Sequence, residues 1–153
     1  MKKPRTNYQT QWAGQFGTAH ELTRRGHLVT FTTGNAPRTD LLCQSPKGVL
    51  FSVQVKSLSS KTYFLYQEAL LQPNPNLFLV FVLVPAFRSE PPPLPEYFVL
   101  NHEQFLQVVE EQARVGKAAE KRRGKPYAEF SPGINYPVLA GFKFRDAWGI
   151  LPQ

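Results

Sequence analysis

The sequence predicts an α/β fold in which helices flank a central mixed β-sheet, and three segments carry this prediction. Apolar side chains in residues 8–25 recur at helical spacing, residues 48–56 alternate as in a strand, and residues 77–84 (LFLVFVLV) are apolar throughout. A strand that is apolar at every position is covered on both faces and therefore lies in the middle of a sheet. The 153 residues can bury one core of their own, so we expect a single domain spanning residues 1–153.

Composition narrows the class of function. The formal net charge is +7, with 42% hydrophobic residues, which is typical of a folded protein with a polyanionic partner. Nucleic acid is the first candidate partner and an anionic membrane surface the second. A single cysteine, Cys43, excludes an internal disulfide and a cysteine-based zinc site, and we expect a cytoplasmic protein. The longest apolar run, residues 77–84, is too short to span a membrane.

The first helix is expected to end at Gly26, after two arginines that suit the negative end of the helix dipole. With a turn of about 100° per residue, its apolar side chains share one face. That face holds Trp12, Phe16, Ala19, Leu22 and Thr23. Gln15 falls on the same face and should point toward the sheet.

Three strands follow. Residues 27–32 form the first and residues 34–37 a turn. The short link 45–47 predicts an antiparallel hairpin between residues 38–44 and 48–56. In the last of these strands Gln54 and Lys56 share a face, opposite to Val53 and its apolar neighbours.

The second half of the chain is less regular. Residues 57–76 fit either a short helix or an irregular connection, and the alternatives stay open. After the apolar strand 77–84 we expect a strand at 96–100 and a helix at 101–112 that begins with a capping box. The basic residues 114–125 predict an exposed, mobile connection, and the aromatic residues of the last segment predict a C-terminus packed on the core.

Three polar residues interrupt strands that burial alone would fill with apolar side chains: Asp40, Gln54 and Lys56. Neighbouring antiparallel strands can bring such side chains within a few ångströms of one another. A carboxylate and a carbonyl oxygen suit Mg²⁺, which often takes only one or two carboxylates and completes its shell with water and substrate phosphate. The lysine would stabilise negative charge on a phosphate or orient an attacking water.

The segments GQFGTAHELTRRGH, NAPRTDLL and FSVQVKS, in this order, resemble the PD-(D/E)XK nuclease superfamily, and in particular small bacterial members with QVK in place of EVK. The closing FRDAWGIL is similar as well. The resemblance implies a restriction-endonuclease-like fold with an αβββαβ core and hydrolysis of a DNA phosphodiester. It implies that Asp40 and Gln54 bind the metal and that Lys56 is the catalytic lysine. Gln15 stands where many members carry a metal-binding glutamate, and we expect it to orient the site by hydrogen bonds.

Two functions follow from this pattern. The first is a DNA endonuclease that depends on Mg²⁺ or Mn²⁺, assembled as a homo-oligomer because duplex cleavage needs two sites. Its expected nucleic-acid contacts are Lys56, Ser57, Lys121, Arg122 and Arg123. The alternative is a catalytically inactive protein of the same fold, which binds nucleic acid or a protein partner because Gln15 and Gln54 replace acidic residues. A protein-binding module built on the proline-rich residues 91–93 is a third interpretation.

Overall fold

A computed structural model of the chain describes residues 5–33, 38–87, 90–127 and 132–153. The turn expected at residues 34–37 lies outside these ranges. Seven strands and three α-helices are described. The strands are β1 (Leu28–Phe31), β2 (Leu41–Gln44), β3 (Leu50–Leu58), β4 (Tyr63–Leu65), β5 (Leu77–Leu83), β6 (Glu96–Asn101) and β7 (Gly133–Asn135). The helices are α1 (Asn7–Arg24), α2 (His102–Arg123) and α3 (Tyr136–Ala140), with 3₁₀ turns at Glu68–Leu71 and Trp148–Ile150.

The central sheet has five strands in the order β1-β2-β3-β5-β6, and it is mixed as expected. The β2–β3 hairpin is antiparallel, with Leu41 opposite Val53. Strand β5 runs parallel to β3 and antiparallel to β6. Every residue of β5 is buried, because α1 covers one face of the sheet and α2 covers the other. The prediction of a central apolar strand is therefore confirmed.

Helix α1 ends at the predicted position, and it starts after an N-cap, Thr6, that was not predicted. The Thr6 hydroxyl accepts a hydrogen bond from the Gln9 backbone, and Gly26 leaves the helix with a φ of +90°. The predicted buried face is only partly right, because Phe16 is 58% exposed and Thr23 is also exposed. The residues that α1 buries are mostly small: Thr10, Gly14, Thr18, Ala19 and Leu22. Small side chains let the helix lie close to β3, and this leaves the large aromatic residues at its flank.

The link between β3 and β5 contains β4 and one 3₁₀ turn. Of the two alternatives for residues 57–76, the short helix corresponds to the 3₁₀ turn, and neither alternative included strand β4. The element order also differs from αβββαβ, which has an α-helix at this place. Strand β4 lies outside the central sheet and pairs with β7 in a separate two-stranded sheet, with Phe64 opposite Ile134. Both of these residues are buried against the α2 side of the core.

The expectation of a mobile connection at residues 114–125 is wrong, because α2 continues to Arg123. Lys, Arg, Ala and Glu are good helix formers, and a cluster of basic side chains at the C-terminal end of a helix interacts favourably with its dipole. Gly124 then ends the helix in the left-handed conformation, with a φ of +72°. The predicted capping box of Asn101 and Gln104 at the start of α2 is confirmed.

The C-terminal segment is packed on the core as predicted. Arg145 pairs with Phe98 at the edge of β6, and the Val99 backbone donates to the Phe144 carbonyl oxygen at 2.9 Å. Phe144 is buried on the α2 side of the sheet, and Trp148 and Leu151 are buried on the α1 side. The last residues therefore join the two halves of the core around one sheet edge.

No helix in the described residues is both long enough and apolar enough to cross a membrane.

Candidate active site

Asp40 directly precedes β2, and its backbone is already part of the sheet. Its amide donates to the Val53 carbonyl oxygen at 3.0 Å, and its own carbonyl oxygen accepts from Thr32 at 3.0 Å. The Asp40 side chain makes the next contact along β3, since its Oδ2 accepts a hydrogen bond from the Val55 amide at 2.7 Å. The hairpin thus determines where the carboxylate lies.

Two glutamine side chains hold the same carboxylate. Gln54 Nε2 donates to Asp40 Oδ2 at 2.8 Å, and Gln15 Nε2 donates to Oδ1 at 3.3 Å. The Gln15 contact links α1 to the hairpin. The structure therefore brings Gln54 and Gln15 into contact with Asp40, as the sequence predicted.

Gln54 contributes an oxygen that has no partner in the described part of the chain. An ionised carboxylate only accepts hydrogen bonds, so the Gln54 amide must turn its nitrogen toward Asp40. Its Oε1 is left buried, without a hydrogen bond to any described residue. A buried acceptor without a donor is costly, and such an atom is a natural ligand for a cation.

Lys56 follows two residues later on β3 and lines the same cavity as Asp40, Gln15 and Gln54. Burial lowers the pKa of Lys56, and the negative charge of Asp40 partly offsets this effect. Burial likewise raises the pKa of Asp40, while the Val55 amide and the positive charge of Lys56 act in the opposite direction. Each charge therefore stabilises the other in a poorly solvated site.

The cavity has a volume of about 670 Å³ and extends well beyond these four residues. A second wall of the cavity comes from the end of β3, from β4 and from the turns beside them, and this wall is rich in hydroxyl groups. That wall includes Ser59, Ser60, Thr62, Tyr63 and Tyr66. These five residues were not among the expected contacts, because residues 57–76 carried no clear periodicity; the run SLSSKTY was the available signal.

Of the other expected contact residues, Ser57 lines the cavity and the basic end of α2 does not. The Ser57 hydroxyl is buried without a described partner, and a Cβ on Gly14 of α1 would lie 1.9 Å from it. Ser57 therefore lies at the cavity with its hydroxyl next to α1, and its contact with a phosphate stays a prediction. Lys121, Arg122 and Arg123 are exposed on the last turn of α2 and do not line the cavity.

The donors present fit a hard divalent cation in kind but not in number. Asp40 Oδ1, with one long hydrogen bond, and Gln54 Oε1 are the oxygens that could hold Mg²⁺. No group of three or more His, Cys, Asp or Glu side chains suited to a metal occurs among the described residues. A cation here would need further oxygens from water or from a phosphate.

Comparisons with known proteins find a similarity in structure and none in sequence. No family model matches the sequence, and no curated protein matches it at a significant level. In structure the chain is similar to a bacterial homing endonuclease, I-Ssp6803I, with a TM-score of 0.53 and 17% sequence identity. The match covers 95% of this chain and 90% of that chain. The protein therefore has a nuclease-like fold, with a central mixed sheet of five strands flanked by helices.

Proposed function

We propose that the protein is a divalent-metal-dependent DNA endonuclease of the PD-(D/E)XK type. The observation that carries the proposal is the buried Gln54 Oε1, which has no hydrogen-bond partner among the described residues and lies beside the Asp40 carboxylate in a cavity that Lys56 also lines. The similarity in fold to a protein described as a bacterial homing endonuclease supports the same proposal.

Asp40 Oδ1 and Gln54 Oε1 would hold Mg²⁺ or Mn²⁺. Bound there, the cation would supply Lewis-acid stabilisation of a phosphoryl oxygen and a water of lowered pKa. The single carboxylate makes affinity for the free cation weak, because charge on the ligands is the main source of binding energy for a hard ion. We therefore expect the cation and the substrate phosphate to bind together.

The chain's own residues divide the remaining work. Lys56 places a positive charge where negative charge develops on the phosphorus oxygens, and its partial burial strengthens that interaction. Gln15 is a positioning residue, because its side chain donates to Asp40 Oδ1 and so orients the carboxylate. The Val55 amide performs the same task at Oδ2.

The basic end of α2 is the proposed contact with the DNA backbone outside the cavity. Lys121, Arg122 and Arg123 occupy its last turn, and Arg123 lies 4.2 Å from the centre of the Tyr127 ring. Tyr127 lines a second, mostly apolar groove along α2, and Tyr63 lines both this groove and the candidate cavity. A bound strand can thus leave the site along α2 and meet positive charge at its end.

A catalytically inactive protein that binds nucleic acid is the second candidate. One observation favours it: Asp40 is the only acidic side chain that lines the cavity among the described residues. Under this alternative the Asp40 hydrogen bonds are structural, and the protein keeps the fold and the positive charge without the chemistry.

Cleavage of supercoiled plasmid DNA distinguishes the two functions. We expect nicking that requires Mg²⁺ or Mn²⁺ and is lost in Asp40→Asn and in Lys56→Ala, while Lys143→Ala, at a lysine outside the cavity, cleaves like the wild type. Salt-sensitive DNA binding with equal background cleavage in all four proteins would favour the inactive alternative.

A further inference from the structure

The outer side of α1 carries a row of aromatic rings. Tyr8, Trp12 and Phe16 are spaced four residues apart, with ring centres 6.2 Å apart for the first pair and 5.2 Å for the second. Phe31 of β1 completes the row, because its ring centre lies 5.4 Å from that of Phe16. Tyr8 is 67% exposed and Phe16 is 58% exposed. A large part of this aromatic surface is therefore open.

The aromatic row lies on an uncharged part of a strongly basic protein. Residues 6–20 and 26–33, which build this face, contain no Asp, Glu, Lys or Arg, although the whole chain has a net charge of +7. A contiguous apolar patch without charge is typical of the core of a protein–protein interface, where aromatic residues are enriched and charges are depleted.

The row also adjoins the candidate active site. A cavity of about 340 Å³ is lined by Trp12 together with Gln11, Gln15 and Asp40. Gln11, Gln15 and Asp40 line the larger candidate cavity as well. A molecule that covered the aromatic row would close the outer side of the candidate site.

We propose that the aromatic row is the interface of a symmetric dimer, in which α1 packs antiparallel to the same helix of a second copy. Two copies of a protein with net charge +7 repel each other, so association is favoured where the surface is uncharged. The spacing is also symmetric about Trp12, with one ring four residues before it and one four residues after. A two-fold axis near Trp12 therefore places Tyr8 against the partner's Phe16 and Phe16 against the partner's Tyr8.

A nucleic acid is the other class of molecule that stacks on exposed rings. Surfaces that bind single strands in this way combine the rings with cations that hold the phosphates. The segments that build this face contain no Lys or Arg, so the charge pattern favours a second copy of the chain. The dimer does not require the proposed nuclease activity, although it would supply two sites for the two strands of a duplex.

Sedimentation velocity without DNA or metal tests the dimer independently of any cleavage. We expect the wild type to sediment at twice the mass of one chain. In the double variant Tyr8→Gln/Phe16→Gln the dimer dissociation constant should rise by at least about tenfold, as expected when interface hot spots are removed. Leu94→Gln removes an 84% exposed leucine outside the row and should remain a dimer. Because both substituted rings are largely exposed, circular dichroism should show unchanged helix content.

A charge exchange tests the antiparallel arrangement itself. Phe16→Glu alone should separate the copies, and adding Tyr8→Lys should restore the dimer, because each lysine then faces a glutamate of the other copy. A wild type that sediments as a single chain at every concentration would overturn the proposal, as would a dimer that persists in Tyr8→Gln/Phe16→Gln. A monomeric wild type whose DNA affinity falls in the double variant would instead identify the row as a nucleic-acid surface.

Discussion

Gln54 Nε2 lies 2.8 Å from Asp40 Oδ2, and this hydrogen bond leaves the Gln54 carbonyl oxygen buried without a described partner. The pair is therefore a satisfied carboxylate next to an unsatisfied amide. A structural role explains the hydrogen bond to Asp40 but not the buried Gln54 oxygen. Under the proposed function, a cation bound by one oxygen of each residue would explain both.

Replacing that amide with a second acid should strengthen metal binding. In Gln54→Glu two carboxylates face each other in a buried site, so the variant should melt below the wild type in a chelator. Added Mg²⁺ or Mn²⁺ should raise its melting temperature more than that of the wild type. Differential scanning fluorimetry measures both shifts. Gln72→Glu, at an exposed position outside the cavity, is the control and should respond to the metal like the wild type.

Gly14 is needed for the close approach of α1 to β3. A Cβ at this position would lie 1.9 Å from the Ser57 hydroxyl oxygen, so Gly14→Ala should lower the free energy of unfolding by about 1–3 kcal/mol. Gly116→Ala on α2 is the matched control: apart from the helix's own backbone, no atom of the described residues lies within 4 Å of an added Cβ, and the change should stabilise the protein by roughly 0.5–1 kcal/mol. Urea unfolding at equilibrium gives both values, and a Gly14→Ala as stable as the wild type would contradict the packing described for α1.

His27 should make the stability of the protein depend on pH. It is 4% exposed and packs edge-on against Phe51, with ring centres 5.5 Å apart. Burial, and then the positive charge of Arg25, lower its pKa below the ordinary 6.5. The unfolded chain therefore takes up the proton first, and this part of the stability is complete above pH 6.5 and falls as the pH drops below it.

The check on His27 is the melting temperature between pH 7.5 and 5.5. His27→Phe removes the titrating group and keeps an aromatic ring, so its melting temperature should fall less than that of the wild type over this interval. The control is His20→Phe, at an exposed position on α1, which should keep the wild-type pH dependence. Equal decreases in the wild type and His27→Phe would assign the pH dependence to other groups.

The end of α2 should set the salt dependence of DNA binding. Replacing Lys121, Arg122 and Arg123 with glutamine should weaken DNA affinity and lower the slope of log affinity against log salt by about one for each phosphate that the variant no longer neutralises. Fluorescence anisotropy over a salt series measures the slope. Lys143→Gln is the single-charge control, and a triple variant with the wild-type slope would exclude this end of the helix from the interface.

Local signals were sufficient for much of the fold. Gly26 marks the end of α1, and Asn101 with Gln104 marks the start of α2, because capping depends on a few residues near one another in the chain. The alternation along β3 predicted the burial of Phe51, Val53 and Val55 but not that of Gln54, and the apolar run predicted the burial of all of β5. These features need only the period of a strand and the chemistry of a turn.

Other features depended on packing between distant segments. Phe16 has the spacing of a core residue but is exposed, because α1 approaches β3 through Gly14 and its small neighbours. The basic end of α2 also packs in part on the rest of the protein, since Val115 and Ala119 are half-buried, where charge alone indicated a solvated connection. Strand β4 exists because β7, about 70 residues later in the chain, pairs with it.

For the candidate site, the sequence was enough to identify the polar residues Asp40, Gln54 and Lys56, since each stands at a strand position where burial favours an apolar side chain. Three features of the site depend on the tertiary structure. The Gln54 nitrogen, and not its oxygen, faces Asp40; the Ser57 hydroxyl lies next to Gly14; and β4 forms the second wall of the cavity. Periodicity reports only the face of a strand on which a side chain lies. The direction of a hydrogen bond and the burial of a single atom depend on neighbours that the fold brings from elsewhere in the chain.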